Sequence, residues 1–334
     1  MKKNTINLKF VLITVVVCFS LTVSARVSLA QEIKLRLAHH FALNDSWSVA
    51  TNEFAKLVGE RSNGRIVIKV FGGGELGAER DYLEGLQLGT VDLGVAGPGV
   101  MANFSPLIGI FDLPFLYKSY DHANRVMDGS VGQKVFDSYA KGAGIKILAS
   151  AGQGFRFVLT KSKAINSIQD IKGVKIRTPE APTFVRTFQM IGANPTPVSW
   201  TETYSALETG VVDGMEGTPE IILSQKFYEL AKHCAKTYHI MATLQLIVSV
   251  KTWDRLSKED QALIQKAAND VWIGKQRKIA EQGNIDAEKK LESLGVKFTS
   301  PDLAPFRSAV KPLWMEWAKQ NNAVDLVEQV AGMN

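Results

Sequence analysis

The sequence predicts an α/β protein made of two units, because strand-like and helix-like segments alternate along it twice. In the first unit, apolar and charged residues alternate in the first two strand-like segments, and the segment between them is amphipathic. The predicted strands are 33–38, 65–71 and 91–96, and the predicted helices are 46–61 and 79–88. This β-α-β-α-β order is typical of a parallel sheet that is covered by helices.

A second α/β unit follows from about residue 146. Its predicted strands are 146–151, 157–160, 174–178, 213–216 and 245–250, and its predicted helices are 183–191 and 200–208. Ser257 and Asp260 have the spacing of a capping box, and helical periodicity then continues to Gly295. No linker rich in Pro, Gly or Ser separates the two units, so we expect the chain to cross between them several times.

The first thirty residues have the composition of an export signal. A basic start is followed by an apolar run over 10–23, and Ser28 and Ala30 are small residues at the two positions that a signal peptidase reads. We therefore predict cleavage after Ala30 and a periplasmic location. The alternative is an uncleaved N-terminal anchor. No later stretch reaches the roughly 18 apolar residues of a membrane span.

The charge and cysteine content of the mature chain exclude some classes of function. The full chain has a net charge of +6, and removal of the four basic residues of the signal leaves +2. This balance does not favour binding to nucleic acid or to an anionic membrane surface. Cys234 is the one cysteine outside the signal, so the mature protein has no internal disulfide and must depend on its core, which a chain of 46% hydrophobic residues can supply.

Motifs for catalysis and metal binding are missing or weak. His39 and His40 form a possible metal pair, but the other histidines lack ligand spacing with them, and the sequence contains no C-x-x-C, H-E-x-x-H, G-x-S-x-G or P-loop. A position for His40 at the end of the first strand, as a neutral donor or acceptor at the rim of a cleft, is favoured. We predict no metal, no cofactor and no enzymatic activity.

The segment 72–77 matches the dinucleotide pattern G-x-G-x-x-G between a strand and a helix. It follows the second strand rather than the first, and Asp92, the candidate ribose ligand, begins a strand where such an acid normally ends one. A tight strand-to-helix turn that requires positive φ angles is the favoured interpretation.

Arg156 and Arg177 are the strongest candidates for ligand binding, because each lies at the start or end of a predicted strand. A guanidinium at a strand end binds a carboxylate through two parallel hydrogen bonds, although two solvated surface arginines would give the same pattern. Trp200 follows a Pro-rich turn and is placed either to stack on a ligand or to fill the core. Glu216 lies between glycines that let the backbone approach a ligand, or that simply form a turn.

A series of four motifs covers essentially the whole mature chain. They are 74–80 with 85–92, Asp112-Leu113-Pro114-Phe115-Leu116, 165–179, and 192–197 with Tyr204, Leu207, Gly210 and 211–214. In this series and order, the chain resembles a known family, the extracytoplasmic solute-binding proteins of TRAP transporters (DctP type).

The resemblance implies a two-lobed, Venus-flytrap binding protein. Lobe I is expected at 31–153 and 243–282, and lobe II at 154–242 and 283–334. Hinge strands are expected near 151–155 and 242–250, with a long helix that spans both lobes.

The resemblance also implies the ligand site. Arg177 is expected to form the principal salt bridge with a ligand carboxylate, Arg156 to assist it, and Glu79 to face the cleft. Five positions depart from the sialic-acid-binding members or from the usual family residue, and they predict a different far wall that disfavours sialic acid as the ligand: His40, Gly97, Glu180, Trp200 and Gly217. In the sialic-acid binders, a glutamate matches Gly97 and an asparagine matches Glu180. If Glu180 and Glu216 both face the cleft, they are expected to accept hydrogen bonds from ligand hydroxyls or an ammonium group.

The function implied by the resemblance is capture of a small organic carboxylate, such as a sugar acid, a hydroxy acid or a dicarboxylate, by a monomer. The expected partners are the small and large membrane subunits of a transporter driven by an ion gradient. Two alternatives stay open: service to a sensor kinase or another transporter class, and a secreted enzyme on a similar fold.

Overall fold

The structure is a computed structural model that describes residues 32–333. The predicted signal peptide lies outside the described residues. Within this part of the chain, no helix has the length and apolar character required to cross a membrane.

Eleven strands form two mixed sheets within residues 32–333. They are β1 Ile33–Ala38, β2 Ile66–Phe71, β3 Leu93–Ala96, β4 Ile145–Phe155, β5 Phe157–Thr160, β6 Lys175–Thr178, β7 Asn194–Pro197, β8 Gly214–Gly217, β9 His233–Ala235, β10 Met241–Ser249 and β11 Lys297–Thr299. The first sheet has the order β2-β1-β3-β10-β4, and the second has the order β11-β9-β5-β8-β6-β7.

Fourteen α-helices cover the sheets in the same part of the chain. They are α1 Ser46–Arg61, α2 Glu79–Leu88, α3 Pro98–Met101, α4 Tyr120–Asp128, α5 Ser130–Ala143, α6 Pro182–Met190, α7 Thr203–Glu208, α8 Pro219–Ser224, α9 Phe227–Leu230, α10 Val250–Arg255, α11 Lys258–Ala268, α12 Arg277–Ser293, α13 Ala304–Gln320 and α14 Val324–Gly332. Short 3₁₀ helices lie at Pro106–Asp112 and Trp200–Glu202, and the latter replaces the first turn of the helix predicted at 200–208.

The first sheet confirms the predicted parallel arrangement. β1 pairs in parallel with β2 and β3, and β10 then adds in the antiparallel direction between β3 and β4. In the second sheet, the Pro-rich segment expected as a turn forms the strand β7. β7 lies at the edge of the sheet, where a residue without an N–H group removes no hydrogen bond from the interior.

β4 and β10 carry the chain between the two sheets. They pair along their length, and β4 continues through Arg156 directly into β5 of the second sheet. The Arg156 N–H donates to the Ile240 carbonyl at 2.9 Å, so the pairing persists across the junction. These strands are the two hinge strands of a two-lobed fold.

A helical rod of 36 residues runs along both lobes and consists of α11, a stretch with π geometry at Asn269–Gln276, and α12. The Ser257 Oγ accepts the Asp260 N–H at 3.1 Å and so caps its first turn, as predicted. The Asp260 carboxylate instead binds Arg65 and the Ser257 hydroxyl. The rod contacts α1 of the first lobe and α8 of the second, which confirms the predicted long helix.

The C-terminal helices correct one predicted lobe boundary. Phe306 and Val310 of α13 lie in a core cluster with residues of the second sheet, as expected. Val327 and Val330 of α14, however, pack in the core of the first lobe with Val126 and other residues of α4 and α5. Trp317 and Ala318, at the end of α13, lie in the same first-lobe cluster. The assignment of the whole of 283–334 to lobe II is therefore wrong for α14 and for the end of α13, and the C-terminal segment contacts both lobes.

We predict that the core under the first sheet tolerates truncation poorly. Phe54 of α1 is fully buried, whereas Val49 on the same helix is 57% exposed. Phe54→Ala should lower the free energy of unfolding by about 3–5 kcal/mol, because it leaves a cavity, and Val49→Ala should change it by less than about 0.5 kcal/mol. Urea unfolding measures both values, and equal effects would contradict the packing.

Candidate functional site

A cavity lies between the two sheets, at the carboxyl ends of the parallel strands β1, β3 and β6. This is where ligands bind in open α/β sheets. Both lobes and both hinge strands line it, and it encloses about 730 Å³ with its mouth included. Its lining includes His40, Phe41, Glu79, Gly97, Pro98, Val100 and Asp112 of the first lobe, Arg156, Arg177, Glu180, Phe184 and Trp200 of the second, and Gln153 and Thr243 of the hinge strands.

Arg177 lies near the end of β6 and is only 2% exposed. Its Nε and Nη2 donate to the Val198 carbonyl at 2.9 and 2.7 Å, which fixes the plane of the guanidinium. Nη1 has no hydrogen-bond partner among the described residues, and Arg177 forms no ion pair with any of them. Burial lowers the pKa of Arg177 to about 10, so the side chain stays charged at neutral pH.

Arg156, by contrast, already has a carboxylate partner. Its Nε and Nη2 donate to the two carboxylate oxygens of Glu216, and Nη2 also donates to the Glu216 carbonyl at 3.0 Å. Burial would raise the pKa of Glu216, but the charge and hydrogen bonds of Arg156, together with His239, hold it at about 2. The pair is therefore ionised, and the positive charge of Arg156 is balanced within the protein.

This pairing corrects two expectations for the second lobe. Glu216 is fully buried, is held by Arg156 and does not line the cavity, so its carboxylate is out of reach of ligand hydroxyls. Gly217 does not line the cavity either, because a Cβ at that position would point towards Met215, Ile221 and Ile222.

Trp200 forms one wall of the cavity. Its ring lies 5.4 Å from the guanidinium carbon of Arg177 and has its centroid 5.9 Å from that of His40. Trp200 is half-buried and packs edge-on against Phe227, which holds the ring in place. It therefore presents a flat apolar face to the cavity beside the arginine.

The turn at 72–77 places Glu79 at the cavity. Gly74 and Gly77 have φ angles of 80° and 96°, and a Cβ at Gly77 would lie 2.6 Å from an Asp81 carboxylate oxygen. The glycines therefore serve a tight turn, which is the favoured interpretation of this motif. Glu79 begins α2, and its Oε1 accepts the Gly97 N–H at 2.6 Å. Burial raises the pKa of Glu79 to about 7, although Gly97 and the two arginines oppose the shift.

Glu180 and His40 complete the predicted set at the cavity. Glu180 follows β6 and is partly buried, and its carbonyl accepts the Asn103 Nδ2 at 2.8 Å, so it also links the two lobes. His40 follows β1, and its Nδ1 lies 2.9 Å from the Tyr82 hydroxyl. The structure thus brings six of the eight predicted residues to one cavity: His40, Glu79, Arg156, Arg177, Glu180 and Trp200.

Asp112 is the most important lining residue that sequence reasoning did not select. It is 2% exposed, and its Oδ2 has no hydrogen-bond partner in the described part of the chain. Burial raises its pKa to about 8, with Arg156 opposing the shift and Glu216 and Glu79 adding to it. The sequence signal for a role of Asp112 was that it is the single acidic residue in the otherwise apolar run 106–116. Phe184, Gln153 and Thr243 also line the cavity and had no such signal.

The charges of these groups make the cavity suitable for an anion. Glu216 neutralises Arg156, while Glu79 and Asp112 have raised pKa values that favour their neutral forms below about pH 7. Arg177 therefore remains as a buried cation without a carboxylate partner among residues 32–333. Over the same residues, no group of three or more His, Cys, Asp and Glu side chains is arranged to hold a metal ion.

A cleft of this kind between two α/β lobes defines a solute-binding protein. The family described as bacterial extracellular solute-binding protein, family 7 (DctP), matches residues 37–321, and this chain belongs to it. Its curated relatives include the sialic acid-binding periplasmic protein SiaP of Vibrio cholerae, which is 33% identical over 94% of this chain and 97% of that protein. The 2,3-diketo-L-gulonate-binding periplasmic protein YiaO of Escherichia coli is 32% identical over 77% of this chain and 78% of that protein.

Solved structures agree with this assignment. A TRAP periplasmic solute-binding protein of Pseudomonas putida with bound D-glucuronate has a TM-score of 0.86 and 29% identity, over 90% of this chain and 98% of that chain. The sugar acid binding protein of Advenella mimigardefordensis in complex with galactonate has a TM-score of 0.86 and 30% identity, over 90% and 97%.

We predict that Asp112 makes the stability of the protein fall as the pH rises. Its pKa is raised from 3.8 to about 8 on folding. Its favourable contribution to the free energy of unfolding is therefore complete below pH 3.8 and is lost as the pH rises towards 8. A single such group gives a slope of at most about 1.4 kcal/mol per pH unit.

Urea unfolding at pH 5, 6, 7 and 8 should therefore show a smaller loss of stability for Asp112→Asn than for the wild type. Asp325→Asn, at an exposed position, is the control and should keep the wild-type slope. Equal slopes in all three proteins would contradict the raised pKa.

Proposed function

We propose that this protein binds a small sugar acid or hydroxy acid in the cleft between its lobes, for uptake by a TRAP transporter. The observation that carries the proposal is the buried guanidinium of Arg177, which lines the cavity without a carboxylate partner among the described residues. Buried charges in proteins are normally paired, and an isolated one is costly. A ligand carboxylate supplies the missing partner.

The geometry of Arg177 suits a carboxylate. Because Nε and one Nη2 hydrogen are directed at Val198, the edge formed by Nη1 and Nη2 remains for two parallel hydrogen bonds. The Arg156 Nη1 has no partner in residues 32–333 and adds a further donor, so Arg156 assists the binding although Glu216 balances its charge.

The rest of the lining favours a hydroxylated carbon chain. Gln153, Thr243 and Glu180 supply polar groups, and Trp200 and Phe184 supply flat apolar faces for C–H groups. Relatives with this fold bind D-glucuronate, galactonate and D-erythronate, which are acids of this kind. Sialic acid fits less well, because Gly97 and Glu180 stand where its binders have a glutamate and an asparagine.

Closure of the lobes explains how such a ligand is held. The carboxylate binds Arg177 of the second lobe, and the hydroxyls reach Glu79, His40 and Thr243, so the ligand stabilises the closed arrangement. The movement centres on β4 and β10. The proposed lobes are 32–153 with 243–282 and 154–242 with 283–316, while 317–333 packs with the first.

The family and the export-type N-terminus favour a periplasmic monomer that delivers its ligand to the membrane subunits of the transporter, without enzymatic activity of its own. Delivery to a sensor kinase is the alternative. The gene neighbourhood distinguishes the two: genes for TRAP membrane subunits beside this one would support the main proposal, and a kinase gene there would support the other.

We predict that loss of the Arg177 guanidinium abolishes tight binding. Arg177→Ala should raise the Kd for the physiological acid by a factor on the order of a hundred to several thousand, because the ligand carboxylate is then buried unpaired, at about 3–5 kcal/mol. Arg177→Lys keeps the charge but not the forked geometry and should give an intermediate loss.

A thermal-shift screen of sugar acids and hydroxy acids, followed by titration calorimetry, measures these changes. Arg186→Ala is the control, because Arg186 is exposed and pairs with Glu316 outside the cavity. Wild-type affinity in Arg177→Ala would refute the anchor, and stabilisation by neutral compounds alone would refute the class of ligand.

We predict that export removes the first thirty residues. The intact mass of the periplasmic protein should correspond to a chain that begins at Gln31, and Ala30→Leu should block cleavage because the peptidase site requires a small residue. Ala30→Gly, which keeps a small residue, is the control. A periplasmic protein of full-length mass would show an uncleaved anchor instead.

A further inference from the structure

Behind the cavity, a chain of two hydrogen bonds connects His40 to the first sheet. The Tyr82 hydroxyl lies 2.7 Å from the Val95 carbonyl oxygen and 2.9 Å from His40 Nδ1. Tyr82 is 1% exposed and lies in the core of the first lobe, so water does not compete for its hydroxyl.

The direction of both hydrogen bonds follows from the number of protons. A carbonyl oxygen only accepts, so the single Tyr82 hydroxyl proton is donated to Val95. The hydroxyl oxygen is then left as an acceptor for His40, and Nδ1 must carry a proton. The Glu79 carboxylate lies 3.9 Å from the same nitrogen, which is too long for a competing hydrogen bond.

His40 is neutral, so a proton on Nδ1 leaves Nε2 as a lone-pair acceptor. Burial, together with the nearby His39 and Arg177, lowers the pKa of His40 to about 3. Nε2 has no hydrogen-bond partner among the described residues, but it is not among their fully buried unpaired polar atoms. Since His40 lines the cavity, Nε2 is accessible to a ligand there. The rings of Phe41 and Trp200 flank the His40 ring, with centroids 4.3 and 5.9 Å from its own. Rotation of the His40 ring by 180° would place a carbon where Nδ1 lies and so remove the hydrogen bond with Tyr82.

We propose that Tyr82 fixes the tautomer of His40, and that His40 Nε2 accepts a hydrogen bond from a hydroxyl group of the bound acid. His40 is then a specificity-determining residue, and Tyr82 is a positioning residue that touches no ligand. The cleft selects an acid that carries a hydroxyl at this point over its deoxy analogue. The hydroxyl contact rests on the proposed function, whereas the tautomer does not.

The tautomer is tested without ligand by two-bond ¹H–¹⁵N correlation spectra of protein labelled with ¹⁵N in histidine, with the His40 signals identified by their loss in His40→Asn. The wild type should show a protonated Nδ1 and an unprotonated Nε2. Tyr82→Phe should lose this preference. Tyr139→Phe is a matched control, because Tyr139 is equally buried in the same core cluster and its hydroxyl has no partner among the described residues. A proton on Nε2 in the wild type would overturn the proposal.

Specificity is tested by calorimetry with D-galactonate, D-glucuronate and their monodeoxy analogues. For a parent acid that binds, one of its monodeoxy analogues should bind the wild type about tenfold more weakly than the parent, as expected for one lost hydrogen bond. Tyr82→Phe should weaken binding of the parent acid and reduce this ratio, while Tyr139→Phe should keep it. An unchanged ratio in Tyr82→Phe would overturn the role of Tyr82. Failure of every acid to bind would refute the proposed function and the hydroxyl contact together, and the spectra would still decide the tautomer.

Discussion

The unpaired charge of Arg177 is the constraint on which the cleft depends. The backbone of the second lobe fixes this guanidinium through the Val198 carbonyl, and burial removes it from water. Such a charge is costly in a low-dielectric site and interacts strongly with an anion placed against it. The same feature therefore makes the empty cleft less stable and, in the proposed function, gives the ligand carboxylate its binding free energy.

The neighbouring groups preserve that charge. Glu216 could have neutralised Arg177 from the adjacent strand, but its carboxylate is held by Arg156 instead. Glu79 and Asp112 face the cavity from the other lobe, and burial favours their protonated forms. Below about pH 7, where the protonated forms prevail, they are hydrogen-bond donors and do not compete with the ligand carboxylate for Arg177.

Local patterns in the sequence predicted most of the elements and the anchor. Alternation predicted β1 and β2, and a strand end predicted the place of Arg177. The pairing of Arg156 with Glu216 was not accessible, because it depends on the register of β5 against β8, which aligns Phe157 with Gly217. The role of Asp112 depends on burial by distant segments, and the periodicity of α14 does not say which lobe its apolar face covers. These features arise from tertiary structure rather than from local pattern.

If the cleft recognises a carboxylate through its charge, removing that charge from the ligand should abolish tight binding. Calorimetric titration of the wild-type protein with the best sugar acid from the screen and with its carboxamide, which has nearly the same shape but no charge, makes this comparison. The carboxamide should bind at least about a hundredfold more weakly, because a neutral group leaves Arg177 buried without a counter-ion. Equal affinity for the two compounds would show that the cleft does not recognise the charge.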